Sequence, residues 1–265
     1  MKSLSLALLL ILILLGSKTP LLAQQDWSWV LGDSVLMRFS GGGAPVVDPI
    51  ARTRYQLETG ACISDGGGNL KLYANKDSMF STNGSKVVGG RLFPWGETTN
   101  GLQILPMDGD SLNYLIFYIS SGGLCSTICP GFVWLRAHPN QDTVISHRSL
   151  GQYHPVNYLS EKIASVKDAG GTGWWVFFHG EGDDKFIRFK VDGLSLSPMV
   201  IQSIGSVHGP IGLNPYYTIG EMCFSPQGDK LLAVTQTGIV DVFDFDRCTG
   251  QLSNSGNRCF HFLTG

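Results

Sequence analysis

Apolar and aromatic runs recur along the chain, each announced by a cluster of turn-forming residues. Asp65-Gly66-Gly67-Gly68-Asn69 stands before Leu70-Lys71-Leu72-Tyr73-Ala74, and Asp108-Gly109-Asp110-Ser111 stands before Tyr114-Leu115-Ile116-Phe117-Tyr118. Ala169-Gly170-Gly171-Thr172-Gly173 leads into Trp174-Trp175-Val176-Phe177-Phe178, and Pro226-Gln227-Gly228-Asp229-Lys230 leads into Leu231-Leu232-Ala233-Val234. Turn chemistry followed by β-branched and aromatic residues is the sequence signal of a hairpin. Further strand candidates flank these runs. Arg54-Tyr55-Gln56-Leu57, Ala61-Cys62-Ile63 and Lys162-Ile163-Ala164-Ser165-Val166 come before them, Lys185 to Val191 and Gly238 to Phe245 after. The last two alternate apolar and polar, as half-exposed strands do. Ser160 to Lys167 resembles a short helix in length, but its β-branched content and its place in the pattern predict a strand.

The spacing organises these strands into units. Leu72 to Ile116 is 44 residues, Ile116 to Val176 is 60 and Val176 to Leu232 is 56. Propeller blades, WD40-like repeats among them, recur at about 40–50 residues and lengthen with loop insertions. The predicted fold is all-β: a β-propeller-like array of about four blades over residues 24–265, incomplete as it stands. The chain is expected to be a fragment of a longer protein, or else a small propeller that closes with Trp27 to Phe39 as its pairing strand.

The first residues lie outside this pattern. Lys2 supplies a positive charge, Leu4 to Leu15 is almost unbroken apolar, and Leu22-Ala23 precedes the polar Gln24-Gln25-Asp26. That is the layout of a secretory signal peptide, residues 1–23, with cleavage expected near Ala23. The run is shorter than the ~20 residues a spanning helix needs, and no later run is longer, so the mature chain is expected to lack a transmembrane segment and to be secreted or held at the cell surface. Net charge is −2 and 15% of residues are charged, which argues against nucleic acid as a partner. Glycine at 34 of 265 residues and aromatics at 11% suit a turn-rich β-protein.

Candidate chemistry is sparse. Six cysteines are present, Cys62, Cys125, Cys129, Cys223, Cys248 and Cys259. In an exported chain an even number favours disulfides, and the two local pairs, Cys125 with Cys129 and Cys248 with Cys259, are the candidates. Their spacings match no common zinc pattern, and no metal or cofactor is expected. Cys62 and Cys223, in apolar strands, are either buried thiols or a long-range bridge. His179 closes an apolar run, as a polar group at a propeller mouth or a locally satisfied strand end. Asp183-Asp184 and Asp108-Gly109-Asp110 lack the register of a calcium loop and read as solvated turns. Gly66-Gly67-Gly68 is followed by no Lys-Ser/Thr, and no Gly-x-Ser-x-Gly elbow occurs. Trp174 and Trp175, adjacent on a strand, point to opposite faces, and core positions for both are expected over a sugar-stacking platform. No catalytic residue is assigned.

Five stretches carry a resemblance. They are Trp27…Gly32…Phe39…Pro45; Ile63-Ser64-Asp65 with Gly68-Asn69-Leu70 and Tyr73; Gly101 to Pro106 with Tyr114 to Phe117; Glu161-Lys162-Ile163-Ala164 with Trp174-Trp175-Val176 and His179; and Phe224-Ser225-Pro226-Gln227-Gly228 with Asp244 to Gly250. With them the chain resembles the N-terminal part of the extracellular β-propeller proteins of bacteria that use type IX secretion, the gliding-motility and surface-adhesin kind. The resemblance implies a non-enzymatic module for recognition or adhesion, with a protein or glycan partner. The alternative is a propeller-class enzyme, a lactonase or glycosidase, with its site at the central channel. A cluster of carboxylates or histidines at one channel mouth would favour the enzyme, and a mouth without titratable clusters would favour binding.

Overall fold

A computed structural model of the chain describes residues 28–31, 35–39, 43–49, 59–65, 67–92, 98–107, 113–120, 129–136, 143–150, 159–193, 195–209 and 219–254. All the regular structure in them is β. Strands β1 (Ser28–Leu31), β2 (Val35–Arg38) and β3 (Val46–Pro49) form a three-stranded antiparallel meander. A second meander follows in β4 (Gly60–Ser64), β5 (Leu70–Asn75), β6 (Ser78–Ser81) and β7 (Lys86–Arg91). The third is β8 (Leu102–Pro106), β9 (Asn113–Ser120), β10 (Cys129–Arg136) and β11 (Thr143–Ser149). The fourth is β12 (Leu159–Lys167), β13 (Trp174–Gly180) and β14 (Asp183–Asp192), with the two-residue β15 (Ser195–Leu196) and the longer β16 (Val200–His208) both pairing with β14. The last is β17 (Met222–Phe224), β18 (Lys230–Val234), β19 (Val240–Asp246) and β20 (Gln251–Asn254).

The first strand of each meander lies against the first strand of the next, β1 on β4, β4 on β8, β8 on β12 and β12 on β17. This is the inner-strand arrangement of a propeller, and the chain is a propeller-like array of blades. The described residues hold five meanders in four hydrogen-bonded sheets, the second and third joined into one of eight strands, in keeping with an array of about four blades. The segment expected as a closing strand is a blade of its own, because Ser28–Leu31 finds its partner in Val35–Arg38 immediately along the chain. One parallel contact at the rim, Thr143 opposite Val88, joins β11 to β7.

The core lies between blades. Val30, Leu70, Tyr73 and Phe80 fill the first interface, and Leu72, Met79, Ile104, Ile116 and Tyr118 belong to the second. Leu115, Phe117, Ile163, Val176, Phe178 and Phe189 fill the third, and Trp175, Phe177, Phe186, Leu231, Phe243 and Phe245 the fourth. Blades packed on both sides explain the unbroken apolar runs. Along β13, Val176 and Phe178 join the third interface while Trp175 and Phe177 join the fourth, so every position is needed for burial. The Ser-Pro-x-Gly turn forms as expected. Gly228 takes φ 71°, and its N–H donates to the Ser225 carbonyl at 2.8 Å. Among the described residues no helix is long and apolar enough to cross a membrane.

Candidate functional site

Two irregularities in strand pairing shape one end of the fourth meander. On β12, Leu159 faces Gly180 and Ile163 faces Phe178, so four steps on one strand oppose two on its neighbour. On β16, His208 faces Asp183 and Ser203 faces Lys185, and here β16 carries the extra residues. Bulges of this kind re-aim side chains. Freed from β13, the β12 backbone binds the chain ahead of β8 instead: Asn100 N–H donates to Glu161 O at 3.2 Å, and Ile163 N–H donates to Asn100 O at 2.9 Å.

The re-aimed side chains meet. Lys162 Nζ lies 3.3 Å from His208 Nδ1, and His208 Nε2 lies 3.2 Å from Asp241 Oδ2 on β19. Lys162 and His208 are fully buried and Asp241 is 7% exposed. With Lys162 donating to Nδ1, the Nε2–H of His208 donates to Asp241. Ser206 fixes the carboxylate further, through its N–H at 2.8 Å and its hydroxyl at 2.9 Å. His179 stacks on His208 with ring centroids 4.3 Å apart, and its Nδ1–H donates to Gly180 O at 2.7 Å. Its buried Nε2 has no hydrogen-bond partner among the described residues.

Carboxylates ring this group. Glu161 Oε2 accepts the Thr99 N–H at 3.1 Å, and Glu221 accepts the Asn100 side-chain amide. Glu181 sits in the β13–β14 turn beside His179. Burial pulls Lys162 down to about 8 from 10.5, against the opposing pull of Glu161, Asp241 and Glu221. Burial likewise lowers His208, opposed by Asp241. Burial, then His208 and Lys162, hold His179 well below its ordinary value. Burial works to raise Asp241, but hydrogen bonds from His208 and Ser206 outweigh it and the carboxyl is lowered. Burial, then Glu161, raises Glu181. The result is a lysine near its own neutral point, coupled to a carboxylate through a neutral imidazole. Such a chain can accept and return a proton.

Two clefts run along the same inner strands. One, of about 470 Å³, is lined by Asn100, Gln103, Ser165, Trp174, Cys223 and Arg247 among others. The other, of about 600 Å³, lies towards β1 and β4 and shares Gln103, Ser165 and Trp174 with the first.

The structure places the residues singled out in the sequence as follows. His179 is fully buried within the cluster rather than open at a mouth. Trp175 is core, whereas Trp174 is only partly buried, packs against the third interface and lines both clefts, so core for both is corrected. Asp183 is a buried strand residue held by Lys185, not a solvated turn, and the 108–110 segment lies outside the described residues. Cys62 is half-buried, its thiol donating to Ser28 O at 3.1 Å, and Cys223 is exposed, so neither is a buried thiol. Cys248 is an exposed free thiol, Cys129 is described by its backbone on β10, and Cys125 and Cys259 lie outside the described residues, as does the signal segment. No group of three or more His, Cys, Asp or Glu suited to a metal occurs among the described residues. Sequence reading missed Lys162, His208 and Asp241 as a set. The available signal was a Glu161-Lys162 pair inside a strand otherwise expected to be buried.

No family model matches the chain, and no curated protein matches it. Among solved structures it is similar to a protein from Bacteroides fragilis assigned as a 6-phosphogluconolactonase, at 13% identity and TM-score 0.43, covering 88% of this chain and 80% of that one. It is similar to the periplasmic gluconolactonase PpgL of Pseudomonas aeruginosa at 12% identity and TM-score 0.39, covering 88% and 82%. It is similar to Hsv2 of Kluyveromyces lactis at 13% and 0.30, covering 82% and 60%. None of these three names mentions type IX secretion. Likeness at this level leaves the chemistry to the chain's own residues. The expectation of a non-enzymatic adhesion module is corrected. A converging cluster of titratable groups is present, the kind of feature the enzyme alternative calls for, although it is buried rather than set at a channel mouth.

Proposed function

We propose that the chain is a propeller-class hydrolase whose reacting centre is the Lys162–His208–Asp241 chain, and that it opens a lactone or similar cyclic ester. The observation that carries the reading is the buried lysine held at about 8 and hydrogen-bonded to an imidazole that is itself held by a carboxylate. The lactonase names of the two structural neighbours choose the first substrate to assay and do no more.

In the proposed step, neutral Lys162 Nζ takes a proton from water as the water oxygen bonds to the lactone carbonyl carbon. The ring C–O bond then breaks, the proton passes to the ring oxygen, and a hydroxy acid leaves. His208 accepts a hydrogen bond from the transient ammonium, and Asp241 acts as a positioning residue that fixes the imidazole tautomer. Because Lys162 must be neutral, the rate rises with pH to a plateau above about 8. The test is enzymatic opening of glucono-δ-lactone followed by pH-stat above the spontaneous rate. Lys162→Met is expected to lower kcat by about 10²–10⁴-fold. Asp241→Asn should lower kcat and move the pH midpoint. An unchanged rate in Lys162→Met ends the proposal.

Glycoside hydrolysis is the second reading, favoured by one pair. Glu181 is raised by burial and by Glu161, while Glu161 accepts a backbone N–H. An acid beside a carboxylate is what that chemistry needs. Release of nitrophenol from aryl glycosides, lost in both Glu161→Gln and Glu181→Gln, would support it over lactone opening.

Export belongs to the same proposal. The mature protein is expected to lack residues up to about Ala23, and an intact mass retaining Met1 would refute it.

A further inference from the structure

A buried reacting centre needs a way in. Lys162 and His208 are fully buried, and none of the Lys162–His208–Asp241 chain lines either cleft. The cleft of about 470 Å³ runs closest to it along the chain. On β12 its lining begins at Ala164, two residues short of Lys162; on β17 it begins at Met222, and ahead of β8 at Asn100.

These three residues differ in what it takes to move them. Ala164 and Met222 are 1% exposed and belong to the core of the fourth interface. Asn100 is half-buried, and its backbone fills the β12 bulge. Its hydrogen bonds to Glu161 O and from the Ile163 N–H bracket Lys162, with which it forms a parallel bridge. Its side-chain amide reaches across to β17, donating to the exposed Glu221 carboxylate and to Met222 O at 3.4 Å. Gly220 closes the same place with backbone. Its carbonyl accepts the Thr99 hydroxyl at 2.9 Å, and an added Cβ would lie 2.9 Å from Lys162 Cε and 2.0 Å from Val234 O. Gly220 is therefore wedged between the lysine stem and β18. Displacing Ala164 or Met222 would open the packed core. The Asn100 side chain moves by rotation about its own bonds, and at the exposed Glu221 water can replace the amide it gives up.

We infer that Asn100 is a gate: its amide, latched to Glu221, separates the cleft from Lys162, and its rotation admits a small cyclic ester to the lysine. Its role as a substrate gate rests on the hydrolase reading. Its role as a barrier in front of Lys162 does not, and is measured without turnover.

Competitive labelling with acetic anhydride tests it. The reagent is small and acylates neutral amines, and peptide mass mapping gives the rate at Lys162 against the exposed Lys86 as internal reference. Rates taken across pH separate a change in ionisation from a change in access. In the parent, Lys162 in its neutral form should label at least about 100-fold more slowly than Lys86, the protection of a group reached only by local opening. Asn100→Ala and Glu221→Ala should each raise that limiting rate by about tenfold or more, the order expected for losing a hydrogen bond to a charged group. Lys86 should not respond, and melting temperatures should stay within a few degrees of the parent. Unchanged Lys162 labelling in both variants would overturn the gate, as would a parent Lys162 that labels as fast as Lys86. A rise seen only in Glu181→Ala would put the entrance at the β13–β14 turn and overturn it too. Turnover keeps the two proposals separable. Faster labelling in Asn100→Ala, with no lactone opening by the parent, upholds the gate and sinks the hydrolase. Lactone opening with labelling and kcat/KM both unmoved in Asn100→Ala does the reverse.

Discussion

Lys162 is the most informative residue in the chain. A buried ammonium is costly, and here its compensation is an imidazole acceptor and carboxylates acting from a distance. Structural ion pairs reach carboxylates directly, whereas this lysine stops at a neutral ring. Replacing a strained buried charge by an apolar side chain of similar length is often neutral or stabilising. Lys162→Met is therefore expected to melt at or above the parent temperature while losing activity. A fall of more than about 5 °C would instead make Lys162 a structural residue. The position was hard to read from sequence because Lys162 stands in a strand whose neighbours Ile163 and Ala164 belong to the core. A lysine at a strand start ordinarily reaches solvent, and only the two bulges turn this one inward. His208 and Asp241 lie 46 and 79 residues further on, and no local pattern links three residues so spaced.

At the scale of strands and turns the sequence was far more legible. Each strand predicted from a turn cluster and an apolar run is present where the residues are described, Lys162 to Val166 and Lys185 to Val191 included. Local turn chemistry and unbroken apolar runs are sufficient there, because blades are built from neighbours in sequence. The N-terminal blade was less clear because its strands have four residues each and leave Trp29, Leu31, Val46 and Val47 exposed, so they show little burial pattern. The fourth interface shows how closely blades fit. Gly250, at φ 73°, turns β19 into β20 with the Trp175 ring against it, and an added Cβ would lie 2.6 Å from that ring. Trp175→Ala is expected to cost about 3–5 kcal/mol in urea unfolding, the usual range for truncating a buried aromatic. Gly250→Ala should also destabilise, through both the turn and the clash. Unfolding midpoints matching the parent in both variants would show that Trp175 is not part of the packed interface.

Over the whole molecule, the buried bases make stability depend on pH. Both histidines in the cluster have lowered folded values, so below about pH 6.5 the unfolded chain binds more protons than the folded one, and stability falls as pH falls. Lys162 acts in the same direction at higher pH: between about 8 and 10.5 the unfolded chain is the more protonated, and stability rises with pH. Asp241, lowered in the fold, adds stability above its ordinary 3.8 that is lost as pH falls through its folded value. Urea midpoints are expected to increase from acid to mildly alkaline solution, and Lys162→Met should abolish the alkaline part alone. A midpoint that peaks near neutrality in the parent would contradict this. The molecule also carries its own reporter of blade separation. Arg247 on the fifth meander is clasped to the fourth: its side chain holds Lys167 O and Asp168 O, and its carbonyl accepts the Trp175 indole N–H at 2.9 Å and the Ala169 N–H at 3.1 Å. Trypsin needs an arginine released from such contacts into an extended, accessible strand. Cutting after Arg247 should therefore be silent while the two blades stay joined, and its rate should time their parting.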